Sequence, residues 1–405
     1  SIATFVLGLV AEPPPEKYQF RPEGPQADTL EGERLLAKYN CIGCHIVELP
    51  EIKYGVNPDD LVESTLGAGD FQEALDLLLQ LKPPRQGLTG EQTPAGDKVV
   101  SFHGLIFAEP DFEEDPEFQE YSFDLWETLQ VGEKLLFPGS KMLVPAAKMI
   151  EQQPARGGTF AQWLVPRLMT SQTQGNRALA WQASPPPLHD EGQKVQTPWL
   201  FRFLKNPHQI RYTPVLRMPR FNLSDDEAQS LANYFAAADR VPYPYQSIPQ
   251  QQQPYLKAAS AAHRQEFPNA EDGYLEAGWK VVNVGGQQAL CRKCHAVGGH
   301  PYQSTDPVKD IRGPNLDIAS ERLRPDWLLL WISNPPWITP YTSMPVNFTR
   351  NQQKLPELFG GDGQKQSVAA RDALLNYVDL LEAHGKIVYE PAGQPVDAQT
   401  GAGGQ

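Results

Sequence analysis

The chain has 405 residues, enough for two or three domains each with its own core. With 49 acidic against 35 basic residues its formal charge is −14, which argues against nucleic acid and fits a partner with a basic docking face. The 39 prolines and 32 glycines predict many loops, while 40% hydrophobic residues exclude wholesale disorder.

The chain starts at Ser1 with an apolar, uncharged stretch, Ile2 to Val10, too short to span a bilayer. It reads as the outer end of a longer membrane helix, as a helix packed on a neighbour, or as an N-terminal core segment. Residues 12–28 are rich in Pro, Glu and Gln and read as an extended spacer. From Thr29, a candidate cap, Leu30, Leu35, Leu36 and Tyr39 fall near helical spacing. That helix delivers the chain to Cys41-Ile42-Gly43-Cys44-His45.

A second word of the same form, Cys291-Arg292-Lys293-Cys294-His295, follows a helical stretch that begins after Gly273. Each is Cys-x-x-Cys-His, the attachment signature of c-type haem. Two thiols one helical turn apart can each form a thioether with a vinyl group of one porphyrin, and the adjacent His lies under the iron. The bland alternatives, half of a zinc site or a redox Cys-x-x-Cys pair, lack a second ligand pair close by or a βαβ context. The two words use all four cysteines of the chain. Two covalently attached haems c are therefore expected, on a chain exported to the periplasm or the outer face of the cytoplasmic membrane.

The layout repeats downstream of each word. One segment runs from Pro186 through Trp199-Leu200, Asn206-Pro207 and Met218-Pro219 to a helix with Tyr234. The other runs from Pro314 through Trp327-Leu328, Asn334-Pro335 and Met344-Pro345 to a helix with Tyr377. Leu188 and Leu316 each precede their Trp by eleven residues, which points to internal duplication. The units differ between word and proline, where the first carries an insertion of roughly 120 residues. Its early part, residues 70–81, reads helical. Its middle reads as short strands and turns, and residues 160–169 are apolar enough to pack. The expected divisions are an N-terminal segment and linker (1–28), a first haem domain (29–240, insertion about 50–180), a linker (241–265), a second haem domain (266–390) and a flexible tail (391–405).

These residues resemble class I cytochrome c domains in tandem, over most of both units but not the insertion, the linker or the N-terminus. The resemblance implies a mainly α fold: two cytochrome c-like helical haem domains, the first with a large mixed α/β insertion. It implies His45 and His295 as proximal ligands and Met218 and Met344 as distal ones. Arg217-Met218-Pro219-Arg220-Phe221 fits closely, and Tyr341-Thr342-Ser343-Met344-Pro345 precedes a longer loop. A thioether is a soft ligand that favours ferrous iron, and a six-coordinate iron has no open position for substrate. Met142, Met149 and Met169 lie in the insertion, and His103, His189, His208 and His300 are the rival distal ligands. By the same resemblance the carbonyls of Pro186 and Pro314 orient the proximal imidazoles. Trp199 and Trp327 pack on the haem edge and reach a propionate, and Arg217 offsets propionate charge.

The expected function is electron transfer from a quinol-oxidising or other respiratory partner to a downstream acceptor. The expected partners are redox proteins, as in a membrane complex, with no nucleic acid and no small-molecule substrate. The alternative is a di-haem enzyme such as a cytochrome c peroxidase, which needs an iron with an open site; the two Met-Pro loops argue against it.

Overall fold

The computed structural model describes residues 22–58, 61, 72–113, 115–171, 175–285, 288–297, 302, 312–348 and 354–384. The apolar Ile2 to Val10 stretch, most of the Pro-rich spacer, His300, part of the loop after Met344 and the tail from Pro391 lie outside the described residues.

The chain opens with α1 (Pro25–Lys38), the single turn α2 (Cys41–Cys44) and β1 (Ile46–Glu48). The insertion follows as β2 (Glu51–Val56), α3 (Gln72–Leu81), β3 (Arg85–Gln86), β4 (Leu88–Gln92) and β5 (Lys98–Ala108). It continues through β6 (Glu120–Leu125), β7 (Leu129–Val131), β8 (Lys134–Leu136), β9 (Lys141–Pro145), β10 (Met149–Gln153) and β11 (Arg156–Gly157). Helices α4 (Thr159–Ser171) and α5 (Arg177–Ala183) return the chain to α6 (Glu191–Lys194), α7 (Thr197–Lys205) and α8 (Asp225–Ala238). The second half holds α9 (Gln253–Glu266), α10 (Tyr274–Asn283), α11 (Ala319–Arg322), α12 (Pro325–Ser333), α13 (Gly363–Leu375) and α14 (Tyr377–Ala383).

The expectation of a mainly α fold made of two cytochrome c-like helical domains is not met. The described residues are 46% helical and 17% strand, and a large antiparallel sheet makes the fold α+β. Strands run β10-β2-β5-β6-β9, with β4 also on β5. Alternate residues supply one apolar face, as a pleated strand requires. Ile52, Tyr54, Val100, Phe102, Phe123, Leu125, Met142 and Val144 form a buried cluster. Phe102 meets Tyr54 and Phe123 edge-on, at 6.0 and 5.6 Å between ring centres. The resemblance reached only the flanks of this segment, so it missed that the insertion builds a core of its own.

Helix α1 begins at Pro25, whose fixed φ suits a first helical turn, one turn before the Thr29 cap predicted from sequence. The Thr29 hydroxyl donates back to the Pro25 carbonyl, 2.8 Å away. Leu35 and Leu36 pack against α8, which starts at a capping box of Ser224 and Glu227. Gly32 makes this crossing possible, since a Cβ there would lie 2.2 Å from that of Tyr234. In the second half α10 crosses α13 at Gly278, where a Cβ would lie 2.5 Å from the Ala369 carbonyl oxygen. Asp372 of α13, fully buried, accepts from the hydroxyls of Tyr255 at 2.8 Å and Tyr274 at 2.7 Å.

The insertion is not confined to the first unit. Ala74, Leu75 and Leu78 of α3 are buried in the same cluster as Val281, Leu328 and Leu374. Tyr341, just before Met344, is buried with Trp126 and Trp181 of the insertion, 5.6 and 6.1 Å from their rings. The segment read as a linker is also fastened at both ends. The Tyr243 hydroxyl donates to Asp28 at 2.6 Å, and the Gln251 amide donates to the Leu375 carbonyl at 2.8 Å. Gln251 thereby satisfies a carbonyl at a helix end, a use that Pro- and Gln-rich composition does not disclose.

The two units meet along a short two-fold-like seam. Val195 and Leu323 pair as an antiparallel bridge. The Gln196 N–H donates to the Arg322 carbonyl at 2.8 Å, and the Arg324 N–H to the Lys194 carbonyl at 3.0 Å. Val195 meets its own counterpart in the duplicated pattern, and the two flanking bonds are reciprocal, as in an isologous dimer interface. Arg324 is buried here and donates to the Val195 carbonyl at 2.9 Å and Gln246 Oε1 at 2.8 Å.

Candidate functional sites

Cys41 and Cys44 occupy the ends of one helical turn, entered through Asn40 at φ 53°. A helical turn brings residues three apart onto one face, so both sulfurs can address one ligand. The turn is held by the insertion: β1 pairs with β11, and the Gly158 N–H donates to the Ile42 carbonyl at 2.7 Å. Gly157, at φ 85°, presses on the word so closely that a Cβ would lie 2.5 Å from the His45 carbonyl oxygen. In the second word the Cys294 carbonyl accepts from the Gly313 N–H at 2.7 Å. All four thiols are free of disulfides.

His45 Nδ1 lies 2.7 Å from the carbonyl oxygen of Pro186, and His295 Nδ1 lies 2.6 Å from that of Pro314. A carbonyl only accepts, so each Nδ1 carries the proton. Burial pushes both imidazoles below the usual histidine range, with the prolyl carbonyls partly opposing it. The rings are therefore neutral at pH 7, and Nε2 keeps a free lone pair, the arrangement of an imidazole ready to ligate a metal. Gly313 completes the second cradle, where a Cβ would lie 2.5 Å from His295 Cε1.

The donor set suits haem better than zinc. Burial raises the Cys41 thiol and pushes that of Cys291 up to about 12, so both stay protonated in the chain alone. Among the described residues no cluster of three His, Cys, Asp or Glu side chains could hold a metal ion. A porphyrin brings four ligands of its own, so one imidazole and one thioether from the chain suffice.

In the first unit the expected partners are gathered. Cys41, Ile42, Leu188, Met218 and Phe221 pack on the cluster that contains Trp199. Trp199 is buried and stacks on Phe203 at 5.1 Å, with His208 edge-on at 6.4 Å. In the second unit the stack recurs, Trp327 on Trp331 at 5.1 Å. Cys291 packs on the large C-terminal cluster, and Met344 is half-buried between Tyr341 and Phe348. Residues 298–301, 303–311 and 349–353 lie outside the described residues. Arg217 is exposed. His103 is engaged by Glu127 at 3.1 Å and His189 by Asp190 at 3.2 Å.

Cations from across the seam were missed from sequence. The Arg322 guanidinium lies 5.0 Å from the Trp199 ring centre, and Lys194 Nζ lies 6.0 Å from that of Trp327. Each unit thus places a cation over the other unit's tryptophan. The signal was present: a basic residue stands five places before each tryptophan. Compared with family models, with curated proteins and with solved structures, this chain has no match.

Proposed function

We propose that the chain is an exported di-haem c-type electron carrier, working as a subunit of a membrane electron-transfer complex. Cys41 and Cys44 would hold one haem, and Cys291 and Cys294 the other. His45 and His295 would ligate from one side, Met218 and Met344 from the other. Bound haem would supply a one-electron iron couple. The chain's residues bind it, orient it and exclude water. One electron would arrive from a reduced redox protein and one would leave to an oxidised one. The acidic surface suits a basic docking face on such a partner. No helix among the described residues is long and apolar enough to cross a membrane, so attachment would fall to partners or to the N-terminal segment.

The observation that carries the reading is the repeated imidazole geometry: in both words Nδ1 is committed to a prolyl carbonyl, which leaves the lone pair on Nε2. The test is an absorption spectrum of protein made in a host that attaches haem c. Two haems per chain, with the weak sulfur-to-iron band at the red end when oxidised, are expected. One haem or none would overturn the assignment.

A further inference from the structure

The seam between the units buries a cation beside the cluster of the first word: the Arg322 guanidinium lies 5.0 Å from the Trp199 ring centre, and Cys41 packs on the same cluster. Glu191 is already committed to Lys194, 2.7 Å away. Arg322 is only 9% exposed, and its Nε is buried without a hydrogen-bond partner among the described residues. A buried guanidinium N–H left without an acceptor is costly, so such a site suits an anion.

We propose that Arg322, supplied by the second unit, binds a carboxylate of the haem held by the first word. This rests on the haem reading above. A haem carries its propionates on the edge away from the vinyl groups, so a porphyrin tethered at Cys41 and Cys44 directs them away from the thioethers. Arg322 closes on Trp199, whose cluster also holds Cys41 and Met218. The matching cation of the other unit, Lys194, is spent on Glu191, so the two haem sites are electrostatically unequal. The first haem's site is complete only when the second unit is docked. Docking then raises the first haem's potential, because a nearby cation disfavours the more positive oxidised iron.

The test is a redox titration of the intact di-haem protein, with the first haem's wave identified as the one that Met218→His moves. In Arg322→Gln that wave should fall, with an oxidised-to-reduced ratio about tenfold higher at fixed potential, ~59 mV for one electron. The second wave should stay within a third of that shift. Arg322→Lys, which keeps the charge, should recover most of it. If Arg322→Gln does not accumulate, Arg322→Met reads the same fall. An unmoved first wave, an equal shift of both waves, or an equal fall in Arg322→Lys would overturn the proposal. Protein lacking covalent haem would fail the reading beneath it instead, and mass measurement of the same samples tells the two apart.

Discussion

Val195 and Leu323 pair as an antiparallel bridge, and each stands four residues ahead of the tryptophan that marks its unit. The seam therefore joins equivalent backbone positions, the outcome expected when a duplicated unit keeps the contact of an ancestral dimer. Arg324 locks it through the Val195 carbonyl, Thr197 and Gln246. Arg324→Ala would leave these buried acceptors unmatched. We expect a loss of about 2–4 kcal/mol, read as a shift of the denaturant midpoint. A change under 0.5 kcal/mol would mean that the seam is held elsewhere.

The crossing of α10 and α13 depends on Gly278. Gly278→Ala forces the backbones apart, because the obstacle is the Ala369 carbonyl and not a movable side chain. The expected cost is about 1–3 kcal/mol, measured by thermal melting. A neutral result would show that the helices slide freely.

Leu78 lies in the insertion but is fully buried against the second unit. Leu78→Ala should cost about 2–5 kcal/mol. It should lower protection from hydrogen exchange in α12 and α13 more than in α1. Deleting residues 50–180 should unfold both units, not release a decoration. Retention of native melting by that deletion would contradict the shared core.

Much of the chain's layout was legible. The Cys-x-x-Cys-His words, the Met-Pro and Trp-Leu pairs, α3 and the helix after Ser224 all carry local signals: fixed spacing, apolar periodicity, a capping residue. What escaped is non-local. Nothing in Leu75 or Leu78 says that their cavity lies some two hundred residues further on. The alternation of Ile52, Tyr54, Phe123 and Leu125 announces strands, but not that they close one sheet in the order β10-β2-β5-β6-β9. The position of Arg322, five residues before Trp327, was a local signal, but its burial in the seam is non-local.

Asp239 gives the fold a pH signature. Burial, then the charge of Asp190, raises its carboxyl to about 7, against the pull of the Gly192 and Gln193 N–H groups. Nearby, burial would raise Asp190 too, but His189 and Lys82 hold it at about 2. The folded Asp239 thus keeps a proton that the unfolded chain gives up near pH 4. Its contribution is complete below that pH and is lost as pH rises through 7. The swing is on the order of 4 kcal/mol. Asp239→Asn should be more stable than the parent at pH 8, with little difference at pH 4. Parallel stability curves between those values would contradict the shift.

The ligand pairs can be separated one at a time. Met218→Ala and Met344→Ala should each remove about half of the sulfur-to-iron band. If neither does, the distal ligands are misassigned.

The central claim is that both words bind haem covalently. The most direct measurement is the intact mass of the 45.1 kDa polypeptide, made with haem-attachment machinery and denatured in acid, beside Cys41→Ala/Cys44→Ala and Cys291→Ala/Cys294→Ala. The account predicts the mass of two haems added to the parent and one to each double variant. A parent mass equal to that of the bare polypeptide would contradict it.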